Sequence, residues 1–183
     1  MIEIKNRDGA VLYVIDGGTL GTADLSGANL SYARLNDANL DDASLKRANL
    51  GGARLNYASL TRANLTRANL GGASLNGASL EDANLNGASL DSANLDSASL
   101  NGASLSSASL DDANLIHANL NGASLNGANL NGANLGYASA RNADLRYATM
   151  TKITLCNTDL DGALIRFRGR TVRVRFEEVE DAA

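Results

Sequence analysis

From residue 20 to residue 165 every fifth side chain is a hydrophobe, and 27 of these 30 positions are Leu, the exceptions being Ala140, Met150 and Ile165. Two residues before each stands a second fixed position, which is Ala in 27 of 29 cases from Ala23 to Ala163, with Ile153 and Thr158 the exceptions. The unit reads Ala, then Asn, Ser or Asp, then Leu, then two variable residues, as in Ala28-Asn29-Leu30-Ser31-Tyr32. A helix advances about 100° per residue, so five residues overshoot a turn by about 140° and the leucines would spread around the cylinder. An unbroken strand fails too, because five is odd and successive leucines would change face. Within one unit, however, Ala and Leu lie two apart and point the same way from a short extended segment. The two variable residues then turn the chain, and they are rich in turn formers: Asn76-Gly77, Asn86-Gly87, Asn101-Gly102, Asn121-Gly122 and Gly71-Gly72. The pattern predicts an all-β solenoid of short strands and tight turns with Ala and Leu inside.

These tandem units, over residues 19–166, resemble the pentapeptide-repeat family. The resemblance implies a right-handed quadrilateral β-helix with four units per coil and therefore about seven coils. At about 4.8 Å between stacked strands the rod would be about 35 Å long. No insertion breaks the register between Leu20 and Ile165, so no large loop is expected to leave the coil. Ala140, standing in a Leu slot, predicts a small void tolerated as a packing defect.

A solenoid exposes strand edges and core at both ends and needs caps. In residues 1–18 Ile2 and Ile4 alternate with polar residues, Asp8-Gly9 is a turn signal, and Val11–Ile15 is β-prone, which predicts a hairpin over the first coil. Residues 171–176 alternate as a strand, and residues 177–183 form an acidic tail. Ile153 and Thr158 in place of Ala predict a core that widens near its end. Val172, Val174 and Phe176 share one strand face and are expected to cover the last coil, with pairing to a second molecule as the alternative. The organisation expected is an N-terminal cap over 1–18, the β-helix over 19–166, and a C-terminal strand and tail over 167–183.

Composition removes most chemistry. One Cys excludes a disulfide framework and a Cys-based zinc site, and one His disfavours a His-based triad. No apolar run approaches the roughly 20 residues that span a membrane. Glu3, Lys5, Arg7 and Asp8 interrupt any signal-peptide profile, so the expected compartment is the cytoplasm. Glycines follow the turn period and form no phosphate loop or dinucleotide fingerprint. Paired carboxylates at Asp41-Asp42, Glu81-Asp82 and Asp111-Asp112 fall at turns, and a convex rod offers them no cleft for acid–base work. His117 and Cys156 lie two coils apart, about 10 Å, too far for a nucleophile and its base. No enzyme, cofactor or metal is expected.

Residues 20 apart stack, so the sequence maps the surface in columns. Residues 68–140 hold no Lys or Arg and six acids, whereas residues 141–176 carry a net charge of +5. The overall formal charge is −4, against direct nucleic-acid binding. In the early coils Lys46 and Arg47 lie beneath Thr66 and Arg67, Arg34 lies beneath Arg54, and Asp42, Arg62 and Asp82 alternate in sign. Near the C-terminus Arg146 stacks beneath Arg166 and Tyr147 beneath Phe167, all at turn positions. Exposed aromatic and Arg residues are enriched at interfaces, so these four form a candidate interaction patch. The expected function is a non-catalytic scaffold or protein–protein interaction module of unknown partner, with a possible homodimer through the C-terminal region. The resemblance also implies an alternative, because quinolone-resistance members of the family are acidic, DNA-shaped rods that bind DNA gyrase. On that alternative Asp91, Asp96, Asp111 and Asp112 would form the acidic mimic.

Overall fold

The computed structural model describes residues 1–16, 19–167 and 169–174, with Phe167 by its backbone alone. Each repeat contributes one bridging residue, the Asn, Ser or Asp between Ala and Leu. Each such residue pairs in parallel with the residue 20 further on, so that one column runs Asp24, Ser44, Asn64, Asn84, Ser104, Ser124, Asp144, Leu164. Four such columns make a right-handed quadrilateral β-helix, and the column just named spans seven coil-to-coil steps.

The backbone explains the repeat. In each coil the Leu N–H and the N–H of the second turn residue donate to the next coil: Leu25 to Ser44 O at 2.7 Å and Gly27 to Lys46 O at 2.8 Å. The bridging residue donates backwards, as Asn49 does to Ala28 O at 2.9 Å. The Ala N–H closes the turn, Ala28 to Leu25 O at 3.1 Å. The first turn residue still needs an acceptor, and the bridging Asn supplies it: Gly51 N donates to Asn49 Oδ1 at 3.1 Å. In another column the acceptor comes from the coil before, Asn76 N donating to Asn56 Oδ1 at 3.1 Å. Asn and Asp thus recur because buried N–H groups require partners.

Every second turn residue from position 22 to position 162 has positive φ, 19 of them non-glycine and 10 glycine. Positive φ at that one position is the mark of a type II turn. Between Leu40 and Leu130 every leucine of the ladder is 0 % exposed. Alanine at the second inward position keeps the coil narrow enough for leucines from four sides to meet.

At the N-terminal end β1 (Ile2–Lys5) and β2 (Val11–Ile15) form an antiparallel hairpin. Asn6 Oδ1 fixes its turn by accepting from Asp8 N at 3.0 Å and Ala10 N at 2.9 Å. Arg34 N donates to Lys5 O at 2.8 Å, which joins the hairpin to the coil, and Ile4 is buried against the core.

At the other end β3 (Leu164–Phe167) pairs antiparallel with β4 (Arg170–Arg173), and β3 begins inside the last repeats. Val174 then returns to the rod, its N–H donating to Ala163 O at 2.8 Å. It packs on the core, while Val172 is exposed and Phe176 and the acidic tail lie outside the described residues. The leucine ladder does not stay closed here, which corrects the expectation that every slot is core: Leu155 is 40 % exposed. Above it the β3–β4 hairpin stands in place of a further coil among the described residues. A partly open apolar pocket of about 130 Å³ lies beside it, lined by Met150, Ile153, Leu155 and Leu160 among others. Ile153 lines this pocket, and the Thr158 hydroxyl donates to Leu135 O at 2.6 Å. Ala140 is 1 % exposed and does not line the cavity.

Candidate functional site

The outward columns carry most of the polar, charged and aromatic side chains of the described residues. The middle coils bring Asp91, Asp111 and Asp112 to one corner and put Asp96 on the next. Their carboxylates are partly engaged with the rod itself. Asp91 accepts from the Ser109 hydroxyl, from Ser89 Oγ at 3.0 Å and from Asp111 N at 3.2 Å. Asp96 accepts from Ser97 Oγ at 3.1 Å and faces His117 Nδ1 at 3.4 Å. His117 stacks in turn on Tyr137, with ring centroids 5.3 Å apart. Asp112 is exposed and leans over Gly132. Asp91 and Asp96 are thus anchored on the rod, and Asp112 is exposed.

The C-terminal patch is arranged differently from its sequence outline. Arg146 folds back on Asp144 through two parallel bonds, Nε to Oδ1 at 2.8 Å and Nη2 to Oδ2 at 2.7 Å. The guanidinium bonds hold the Asp144 carboxyl down at about 2, and Arg146 is shifted up in return. Tyr147 is 58 % exposed, and the Arg166 guanidinium carbon sits 4.6 Å from its ring centroid, a cation–π contact. The structure therefore joins Tyr147 and Arg166 as a displayed pair and fixes Arg146 beside them. The Phe167 side chain lies outside the described residues. Asp144, two residues before Arg146, was missed by column reading because the pair forms within one unit rather than between coils.

Elsewhere Arg62 makes a two-bond pair with Asp42, Nε to Oδ1 and Nη2 to Oδ2, both at 2.8 Å. That hydrogen bonding lowers the Asp42 carboxyl and raises Arg62. Arg141 pairs with Asp159 at 2.8 Å. Lys46, Arg47 and Arg67 line a shallow groove with Ser26 and Thr66. Sequence reading passed over Tyr32 and Tyr57, which are 56 % and 70 % exposed. The available signal was each Tyr in a turn slot with Gly 20 residues later, at Gly52 and Gly77. Cys156 is an exposed free thiol. Among the described residues no group of His, Cys, Asp or Glu could hold a metal ion. No helix among them is long and apolar enough to cross a membrane.

Fold and surface together define a β-solenoid repeat protein whose chemistry is confined to side chains presented at corners and flat faces. Its repeats match pentapeptide repeats in eight copies, over residues 23–62, 43–82, 58–96, 88–127 and 123–162, and the chain belongs to the pentapeptide-repeat family. It is similar to HetL, a pentapeptide repeat protein involved in heterocyst differentiation regulation from the cyanobacterium Nostoc sp. strain PCC 7120, at 34 % identity. That match covers 79 % of this chain and 77 % of HetL, with a TM-score of 0.38. It is similar to Rfr23 from the cyanobacterium Cyanothece 51142 at 37 % identity over 58 % of this chain and 61 % of Rfr23, with a TM-score of 0.22. A trypsin-treated variant of QnrB1, a plasmid-mediated fluoroquinolone resistance protein, matches at 20 % identity over 75 % of this chain and 78 % of its own, with a TM-score of 0.39. No curated protein matches the chain.

Proposed function

We propose that the protein is a non-catalytic interaction scaffold that binds a protein partner through its C-terminal coils. The observation that carries this reading is the Tyr147–Arg166 pair, exposed and held in place by stacking beside a guanidinium already fixed on Asp144. A rigid, pre-ordered Tyr and Arg are the residue types that dominate binding energy at interfaces. The same end leaves Leu155 and Val172 exposed, 40 % and 41 %, which supports self-association there as a homodimer. A Tyr147→Ser/Arg166→Ser variant is expected to lose partner capture or self-association in sedimentation while keeping its unfolding midpoint. Unchanged binding and oligomeric state would remove this patch.

A second reading is an acidic DNA mimic that engages DNA gyrase through Asp91, Asp96, Asp111 and Asp112. It is favoured by the absence of Lys and Arg from residues 68–140. Against it stands the low charge density, since duplex DNA carries about one charge per 1.7 Å. Titration of a supercoiling reaction decides: dose-dependent inhibition that an Asp→Asn quadruple variant abolishes would support mimicry, and no effect would set it aside.

A further inference from the structure

We propose that the flat face of the early coils bearing Arg34 and Arg54, flanked by Tyr32 and Tyr57, docks an acidic peptide segment of a protein partner. The proposal rests on the scaffold reading and adds a second surface towards the opposite end of the rod.

Arg34 and Arg54 are bridge partners on adjacent coils, which sets their stems about 4.8 Å apart on one face. Both are exposed, and neither forms an ion pair among the described residues. Like charges directly opposite one another in a ladder are destabilising. The rod therefore holds two cations in a mutually repulsive position that an anion from outside would relieve. Arg7 adds a third cation at the edge, its guanidinium carbon 5.3 Å from the Tyr32 ring centroid. Asp37 stands at the corner beneath Tyr57 and forms no ion pair with either central Arg among the described residues.

The rings beside these cations are seated. Tyr32 lies over Gly52, where a Cβ would fall 2.6 Å from Tyr32 Cε1, and Tyr57 lies over Gly77, where a Cβ would fall 2.7 Å from the ring. Both glycines also have positive φ, +61° and +62°. A ring laid flat on a glycine loses little further freedom on binding, and it offers a broad apolar surface next to a charge. The corner of Lys46, Arg47 and Arg67 has comparable charge without rings, which makes it an internal control.

The patch is too short for a nucleic-acid strand. Beyond Arg54 the same column continues through Ser74, Asn94, Asn114 and Asn134. The acids Asp91, Asp96 and Asp111 stand at the corners on either side of those rungs. A polyanion following the rod would leave its cations within two coils and meet carboxylates, whereas strand binding needs a sustained basic groove. Strand addition is also closed, because Arg54 N already donates to Ala33 O at 2.9 Å and Leu35 N to Arg54 O at 2.8 Å. Recognition is left to side chains: a few carboxylates on Arg34 and Arg54, and apolar atoms on the rings.

The test is an NMR titration of the full chain with a synthetic dodecapeptide of alternating Glu and Ala, with the Lys/Ala peptide as control. The expected result is saturable shifts at the Arg34 and Arg54 guanidinium and the Tyr32 and Tyr57 ring resonances. An Arg34→Glu/Arg54→Glu variant should weaken binding about tenfold or more, and Tyr57→Ser should weaken it with the cations intact. Equal shifts at Lys46, Arg47 and Arg67 would overturn the proposal by reducing it to net charge. Tighter binding of a dodecathymidylate would overturn it in favour of nucleic acid. Shifts at Tyr147 and Arg166 with none at Tyr32 and Tyr57 would overturn this surface and leave the scaffold reading in place. No shift anywhere would overturn this surface, while the scaffold reading stands or falls by the Tyr147→Ser/Arg166→Ser variant.

Discussion

The middle coils and the last coil are written in the same repeat and behave differently. Around Leu100 each leucine has a coil above and below and is 0 % exposed. At Leu155 the coil above is replaced by the β3–β4 hairpin, and the same residue type in the same slot is 40 % exposed. Burial in a solenoid is thus a property of the neighbouring coil more than of the residue. The electrostatics diverge in parallel. The middle coils carry carboxylates tied to hydroxyls and backbone N–H groups, whereas the C-terminal coils tie Asp144 to Arg146 and Asp159 to Arg141.

The largest expected difference is in the ladder. Leu100→Ala should cost about 3 kcal/mol or more, with transfer and cavity terms both present, and Leu155→Ala less than about 1 kcal/mol. Urea unfolding followed by circular dichroism measures both, and equal losses would break the comparison. Next comes the width of the coil. Ala103→Ile should overpack a closed rung and cost about 1–3 kcal/mol, while Ala148→Ile, at the half-buried end, should be close to neutral. Smaller again are the turns. Gly122→Ala meets nothing within 4 Å and should lose only the left-handed backbone term, about 1 kcal/mol. Gly77→Ala should lose more, because the Tyr57 ring must also move, and thermal midpoints of the two variants give the order.

The smallest effect is the pH response of the Asp144–Arg146 pair. Its carboxyl sits at about 2 against an ordinary 3.8, so the folded state binds the proton less readily than the unfolded chain. The pair's contribution is therefore complete above about pH 4 and is lost as the pH falls towards about 2. Asp144→Asn should flatten the stability curve across that window and leave the slope above it unchanged, as read by unfolding at successive pH values.

Much of this was legible before any coordinates. A period of five with Ala and Leu two apart admits neither helix nor continuous strand, and the 20-residue bridges from Asp24 to Leu164 follow from four such units per coil. Asp8-Gly9 located the turn between β1 and β2. The β3–β4 hairpin was harder to see, because Leu164 and Ile165 still obey the repeat while their strand pairs with residues that do not. Leu155 was assigned to the core because pattern reading carries no information about whether a next coil exists. The Asp144 partner of Arg146 is not visible in the columns, because they connect residues 20 apart and Asp144 is two residues away. The left-handed turns at residues such as Tyr57 and Arg62 also escaped notice, since only their glycine counterparts advertise positive φ.

The middle coils are closed and the C-terminal coil is open, with Leu100 0 % and Leu155 40 % exposed. Amide hydrogen exchange on the native protein tests it most directly. Leucine amides from Leu60 to Leu120 should exchange slowly and at similar rates, and those of Met150, Leu155 and Leu160 at least about tenfold faster. Protection at Leu155 equal to that at Leu100, in dilute protein with no partner present, would contradict the account.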